Sequence, residues 1–198
     1  MTTVGQKERQ TQAQVIKLFR EQLGYEFLGN WSDREGNRNI EEGLLRSWLA
    51  KGGVSNALIA RALHQLGKAA ALGEGKHLYD ANRAVYDLLR YGVKVKEGAG
   101  EHHQTVWFID WDHPEQNHFA IAEEVSIRGE HTKRPDIVLY VNGIALGVLE
   151  LKRSTVAVSE GVRQNLDNQK KAFIRGFFIP ISCNFALYRS NLNKHLQP

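Results

Sequence analysis

The chain has 198 residues, 42% of them apolar and 24% charged, with 18 Gly against 4 Pro, a composition that excludes disorder, a collagen-like repeat and a coiled coil. Its length suits one domain, or one domain with an attached lobe, with enough chain to bury a substantial core. The net charge of +4 is uneven: residues 151–198 hold eight Lys or Arg against Glu160 and Asp167, an excess that suits a polyanionic partner as readily as a solvated surface. Cys183 is the only cysteine, so an intrachain disulfide and a Cys-based zinc site are excluded and a reducing cytoplasm is the expected home. A polar start (MTTVGQKERQTQ) and the lack of any apolar run near about 18 residues predict neither signal peptide nor membrane anchor.

In chain order, Val15, Ile16, Leu18, Phe19 and Leu23 fall at helical spacing within 7–23, before a stop at Gly24. A polar loop (GNWSDREGNRN) follows. Ile40, Leu44, Leu45, Trp48 and Leu49 then form a second stripe ended by Gly52-Gly53. Residues 55–71, with Ser55 or Asn56 as N-cap, give a third helix, and Asn82 to Arg90 a fourth. Beyond Gly92 the runs VKV, TVWFID, FAIAEEVSI, DIVLYV and ALGVLEL are short and β-rich. A helical stretch returns at 159–174, followed by strand candidates at Phe177 to Ile181 and Phe185 to Tyr188. This order predicts an α/β fold with a mixed central sheet flanked by helices, with a helical lobe over 1–80 and a core over 81–198.

The stretch RPDIVLYVNGIALGVLELKRS (134–154) carries the chemistry. Two apolar runs meet at Asn142-Gly143, a strong hairpin signal. Both runs are continuously apolar apart from Asp136, Glu150 and Lys152, and an isolated carboxylate buried in such a strand costs several kcal/mol by order of magnitude unless paired or coordinated. Glu150 and Lys152, two apart, share a strand face. Parity decides whether Asp136 joins them. A two-residue loop pairs Val141 with Ile144 and leaves Asp136 on the opposite face. A three-residue loop ending in Gly143, or any single bulge, brings all three onto one face, and the odd-length loop is the predicted solution. Two carboxylates with the Leu151 carbonyl between them suit a hard cation such as Mg²⁺, and Lys152 suits orientation of a water, so chemistry and spacing point to phosphodiester hydrolysis. The plainer alternative places the acids at the solvent boundary, with Lys152 paired to one of them.

Asp136, thirteen residues, then Glu150-Leu151-Lys152 resembles the PD-(D/E)xK nuclease signature. With NHFAIAEEVSIRG, TQAQVIKLFREQLGYEFLGNW and downstream QNLDNQKKAFI, the chain resembles the N-terminal nuclease domain of the restriction (R) subunit of type I restriction-modification enzymes over most of its length. The resemblance implies a restriction-endonuclease-like core in which Asp136 and Glu150 bind the catalytic metal, Mg²⁺ with Mn²⁺ as a substitute, and Lys152 assists hydrolysis. A supporting Gln-x-x-x-Tyr motif corresponds to Gln169 to Phe173, the aromatic here lacking the hydroxyl. The resemblance further implies double-stranded DNA as substrate, modification and specificity subunits as partners, and ATP use only in the full-length enzyme, whose motor lies outside this chain. Neither Gly67-Lys68-Ala69 nor Gly75-Lys76-His77 fits a Walker A pattern.

Val162, Leu166, Gln169 and Phe173 fall on one helical stripe, so Gln169 faces the sheet as a motif residue or as a satisfied core amide. Arg163, Lys170 and Lys171 are candidate DNA-phosphate contacts or a solvated face. Glu8, Glu123 and Glu124 are further acids outside the catalytic set. His102, His103, His113, His118 and His131 lack zinc spacing. The rival readings are a resolvase or repair nuclease of the same fold, or a DNA-binding or subunit-docking module without metal chemistry.

Overall fold

The computed structural model describes residues 3–72, 77–128, 132–152 and 183–188 and positions 163, 177, 179 and 180, with the backbone alone for 3–8, 152 and 183–188. Its elements are the helices α1 (Thr3–Glu21), α2 (Glu42–Lys51), α3 (Asn56–Ala70) and α4 (Leu78–Tyr91), and the strands β1 (Glu26–Asn30), β2 (Val93–Val95), β3 (Gln104–Val106), β4 (Phe119–Glu123), β5 (Ile137–Val141), β6 (Ile144–Lys152) and β7 (Cys183–Tyr188). The order β1-β4-β5-β6-β7 makes one mixed sheet: β1 runs parallel to β4, β5 antiparallel to both its neighbours, and β7 parallel to β6. The fold is α/β with a mixed sheet, as the pattern predicts. Among the described residues no helix is long and apolar enough to cross a membrane.

Period-2 alternation sorts the strands onto two cores. On one face Val15 and Ile16 of α1 pack against Ile121, Ile137, Leu149 and Leu151. On the other, Trp31 and Phe177 cover Ala122, Val138, Tyr140 and Val148. A third core joins α2, α3 and α4 to β2 and β3, built from the predicted stripes: Leu45, Leu49, Ile59 and Leu66 are fully buried, each contributing about 1.5–3 kcal/mol. Ser55 caps α3, its hydroxyl accepting from the Leu58 N–H at 3.3 Å.

Three sequence expectations change. Residues 1–80 are not a lobe apart, because α1 and β1 pack into the main sheet layer, and the helical lobe is α2 to α4 with β2 and β3. The strand β1 was hidden because EFLGN is short and carries an interior Gly, which weakens any strand pattern. Of the expected strand over 177–181, the described residues are not in a strand: Phe177 lies in a 3-10 turn and 179–180 in a bend, whereas the last strand begins earlier than expected, at Cys183. Of the expected 159–174 helix only Arg163 is described; it is helical and exposed.

The β5–β6 hairpin tip is locked into the helical lobe. Fully buried Asn142 accepts through Oδ1 from the His118 N–H (2.7 Å) and donates through Nδ2 to the Phe108 carbonyl (2.9 Å) and Asn117 Oδ1 (2.7 Å). The Gly143 carbonyl accepts from the Glu41 N–H at 2.8 Å, at the start of α2.

Tyr140 is fully buried beside Trp31, with ring centroids 5.6 Å apart. Burial, reinforced by the Glu41 carboxylate, pushes its phenol far above the usual tyrosine range. A raised folded-state value means that the neutral phenol's contribution to stability is complete below the unfolded value of about 10, falls progressively as pH rises beyond it, and is gone once pH has risen through the folded value. Between about pH 9.5 and 11 the wild type is therefore expected to lose more stability than Tyr140→Phe, which cannot ionise. Urea midpoints at the two pH values check this, and equal falls would contradict it.

Candidate active site

The hairpin solves the parity problem with a bulge and not with its loop. Val141 pairs with Ile144 across a two-residue Asn142-Gly143 turn whose φ values are 52° and 85°, the left-handed pair that a tight hairpin needs. The predicted three-residue loop is therefore incorrect. Tyr140 pairs with Ala145 but Leu139 pairs with Gly147, so Leu146 is an extra residue and the register shifts by one. Downstream, Ile137 pairs with Leu149, and one step further Asp136 comes level with Glu150. Contact between the strands there is direct, since the Leu151 N–H donates to Asp136 Oδ2 at 2.6 Å.

These residues sit where β1, β4 and β6, all running one way, reach their carboxyl ends, the edge at which open α/β sheets bind ligands. A cleft of about 1030 Å³ opens there, lined by Asp136, Glu150, Leu151, Glu123, Glu124 and Arg134, with α1 opposite. Glu150 is only 2% exposed, and Asp136 is half-buried. Glu123 is held in place by Gln12 Nε2 (3.0 Å) and Asn30 Nδ2 (3.2 Å). Glu124 adopts a left-handed backbone conformation, φ 52°, unusual for a non-glycine residue. Its carboxylate meets Arg134 Nε at 2.7 Å, and its N–H donates to the Asp136 carbonyl at 2.9 Å.

The donor chemistry fits a hard divalent cation: Asp136 and Glu150 offer carboxylate oxygens, and Leu151 a carbonyl on the same strand end. Among the described residues no group of three or more His, Cys, Asp or Glu side chains surrounds one point. Any cation would thus rest on two carboxylates, backbone oxygen and water, a ligand set suited to Mg²⁺.

The structure therefore gathers Asp136, Glu150 and Leu151, and adds Glu123 and Glu124 to the same cleft. Lys152 ends β6 in register with Tyr188, its side chain lying outside the described part, as does that of Glu8. Gln169, Lys170 and Lys171 are outside the described residues. Sequence reasoning missed Gln12 and Asn30, whose only signal was a polar residue at the edge of an apolar helix stripe and another at a strand end.

Fold and cleft together define a mixed-sheet α/β domain with an acidic cleft at the carboxyl ends of its parallel strands. The chain matches the type I restriction enzyme R protein N terminus over residues 5–190, and it belongs to this family. It is 32% identical over 95 residues to the type I restriction enzyme HindI endonuclease subunit of Haemophilus influenzae, a match covering 46% of this chain and 9% of that protein. It is also 28% identical over 99 residues to the SsaAORF53P endonuclease subunit of Staphylococcus saprophyticus, covering 50% of this chain and 10% of that protein. The matched region is thus a tenth or less of either relative's length.

Proposed function

We propose that this chain is the DNA-cleaving module of a type I restriction enzyme, a Mg²⁺-dependent endonuclease domain of the PD-(D/E)xK kind that hydrolyses phosphodiester bonds. The observation that carries this reading is the Leu146 bulge, which sets the Asp136 carboxylate beside Glu150 at the end of a buried hairpin. Two carboxylates brought level on one strand end at the mouth of a cleft, with a backbone carbonyl between them, supply the oxygen donors that a hard divalent cation takes.

In this reading Asp136, Glu150 and the Leu151 carbonyl would hold Mg²⁺, or Mn²⁺ in its place. A cation held there would supply Lewis-acid chemistry, stabilising negative charge on the phosphate and making a water more acidic. Lys152 orients the attacking water and offsets charge that builds up on the phosphate. Gln169 supports the active strand through its amide, and Arg163, Lys170 and Lys171 neutralise backbone phosphates. Double-stranded DNA is the substrate. Sequence choice and ATP-driven translocation belong to the modification and specificity subunits and to the motor outside this chain, all in the cytoplasm.

The test is cleavage of supercoiled plasmid in Mg²⁺ by the assembled enzyme carrying either the wild-type domain or Asp136→Asn. Mg²⁺-dependent cleavage that the substitution abolishes supports the reading. Cleavage that survives Asp136→Asn, or DNA binding indifferent to both Mg²⁺ and the substitution, replaces it with a docking module.

A further inference from the structure

We infer that one face of α1 is the wall of the cleft that grips the DNA sugar–phosphate backbone, with Arg9 and Arg20 as its phosphate-binding residues. The inference rests on the nuclease reading of the cleft and adds to it residues far from the motif in sequence. Arg9, Ala13, Ile16 and Arg20 fall at i, i+4, i+7 and i+11, a single helix face, and all four line the cleft. That face cannot rotate away: Ile16 is buried against the sheet, and Gln12 holds Glu123 at 3.0 Å.

The charges of the cleft separate into two walls. Glu123, Glu124, Asp136 and Glu150 lie on the sheet side, where they repel an approaching polyanion. On that side Arg134 is committed to Glu124 at 2.7 Å. On the helix side Lys17 shares its charge with Glu21 at 3.7 Å. Arg9 and Arg20 are exposed, and among the described residues neither has a carboxylate partner. The Arg20 guanidinium lies 5.7 Å from the Phe27 ring centroid, a contact that steadies a cation without neutralising it. Planar guanidinium groups match phosphate oxygens two at a time. Eleven residues of helix separate the two arginines by about 16 Å along the axis, roughly four to five nucleotide steps of one strand at ~3.4 Å each. Charge complementarity thus commits this face to a DNA strand, held opposite the acids that would otherwise repel it.

The experiment is fluorescence anisotropy of a labelled DNA duplex with the metal-free chain, so that binding is read without turnover, across a salt series. Arg9→Ala/Arg20→Ala is expected to weaken binding roughly thirty- to sixtyfold at about 0.1 M salt and to lower the log–log salt slope by about 2. Arg9→Lys/Arg20→Lys keeps the slope. Arg83→Ala/Arg90→Ala, which removes the same charge from exposed sites on α4, changes binding by less than about twofold. Wild-type binding from the alanine variant, an equal loss in the α4 control, or no DNA binding by the wild type overturns the inference. So does an alanine variant that binds DNA normally but fails to assemble with partner subunits, which would make this a protein-docking face. Cleavage surviving Asp136→Asn would sink the nuclease reading by itself. Cleavage lost in Asp136→Asn while Arg9→Ala/Arg20→Ala binds normally would sink only the present inference.

Discussion

Gly143→Ala and Asn142→Ala are each expected to lower unfolding stability by about 3 kcal/mol, a large part of a typical domain's total. At Gly143 the backbone is left-handed (φ 85°), and a Cβ would lie 2.8 Å from the Glu41 carbonyl oxygen, 2.8 Å from Leu44 Cβ and 3.0 Å from the Leu45 nitrogen. Two of these are backbone atoms at the start of α2 that cannot step aside, so overpacking of about 1–3 kcal/mol adds to left-handed strain of about 1 kcal/mol or more. At Asn142 truncation leaves the His118 N–H, the Phe108 carbonyl and Asn117 Oδ1 each without this partner in a buried site, at about 1–3 kcal/mol per unsatisfied group before relaxation. Urea unfolding of the variants checks both, and losses under about 1 kcal/mol would show that the tip is not locked. The same contacts hold the register that the bulge shifts, so the damage extends from stability to the cleft.

Asp136→Asn and Glu150→Gln are each expected to reduce cleavage at least about a thousandfold, the scale seen when one member of a catalytic set is neutralised. Under the proposed reading, in which the two carboxylates hold one cation together, the double variant is expected to be little worse than either single one. Single-turnover rates in the assembled enzyme, with unfolding midpoints as a control for folding, provide the comparison. Losses that multiply in the double variant would mean that the acids act separately.

Much of this was legible in the sequence because the hairpin is chemically loud. Three charges stand in otherwise apolar strands, and parity alone requires a one-residue offset for Asp136 to reach Glu150. The location of that offset was not legible. Asn142-Gly143 serves a two-residue turn as well as a longer loop, and nothing in GIALGV marks Leu146 as the extra residue, since bulges are settled by the packing of both strands. The helical lobe was read from its stripes, and Leu45, Leu49, Ile59 and Leu66 are where helical spacing places them. The strand β1 escaped because its pairing with β4 bridges some ninety residues, as Glu26 with Ala120, and no local pattern encodes so distant a partner. Asn142 reads locally as a turn residue, yet its amide is the buried pin between two parts of the fold. Nothing local in the sequence singles out Arg9 and Arg20, which come to notice only because they line the same cleft as four carboxylates.

The central claim, that Asp136 and Glu150 form one cation site, is tested most directly by calorimetric titration of Mg²⁺ and Mn²⁺ into the wild type and an Asp136→Ala/Glu150→Ala variant of matched stability. A saturable site is expected in the wild type and not in the variant. A wild type that binds neither ion even with DNA present, or a variant that binds them equally well, would contradict it.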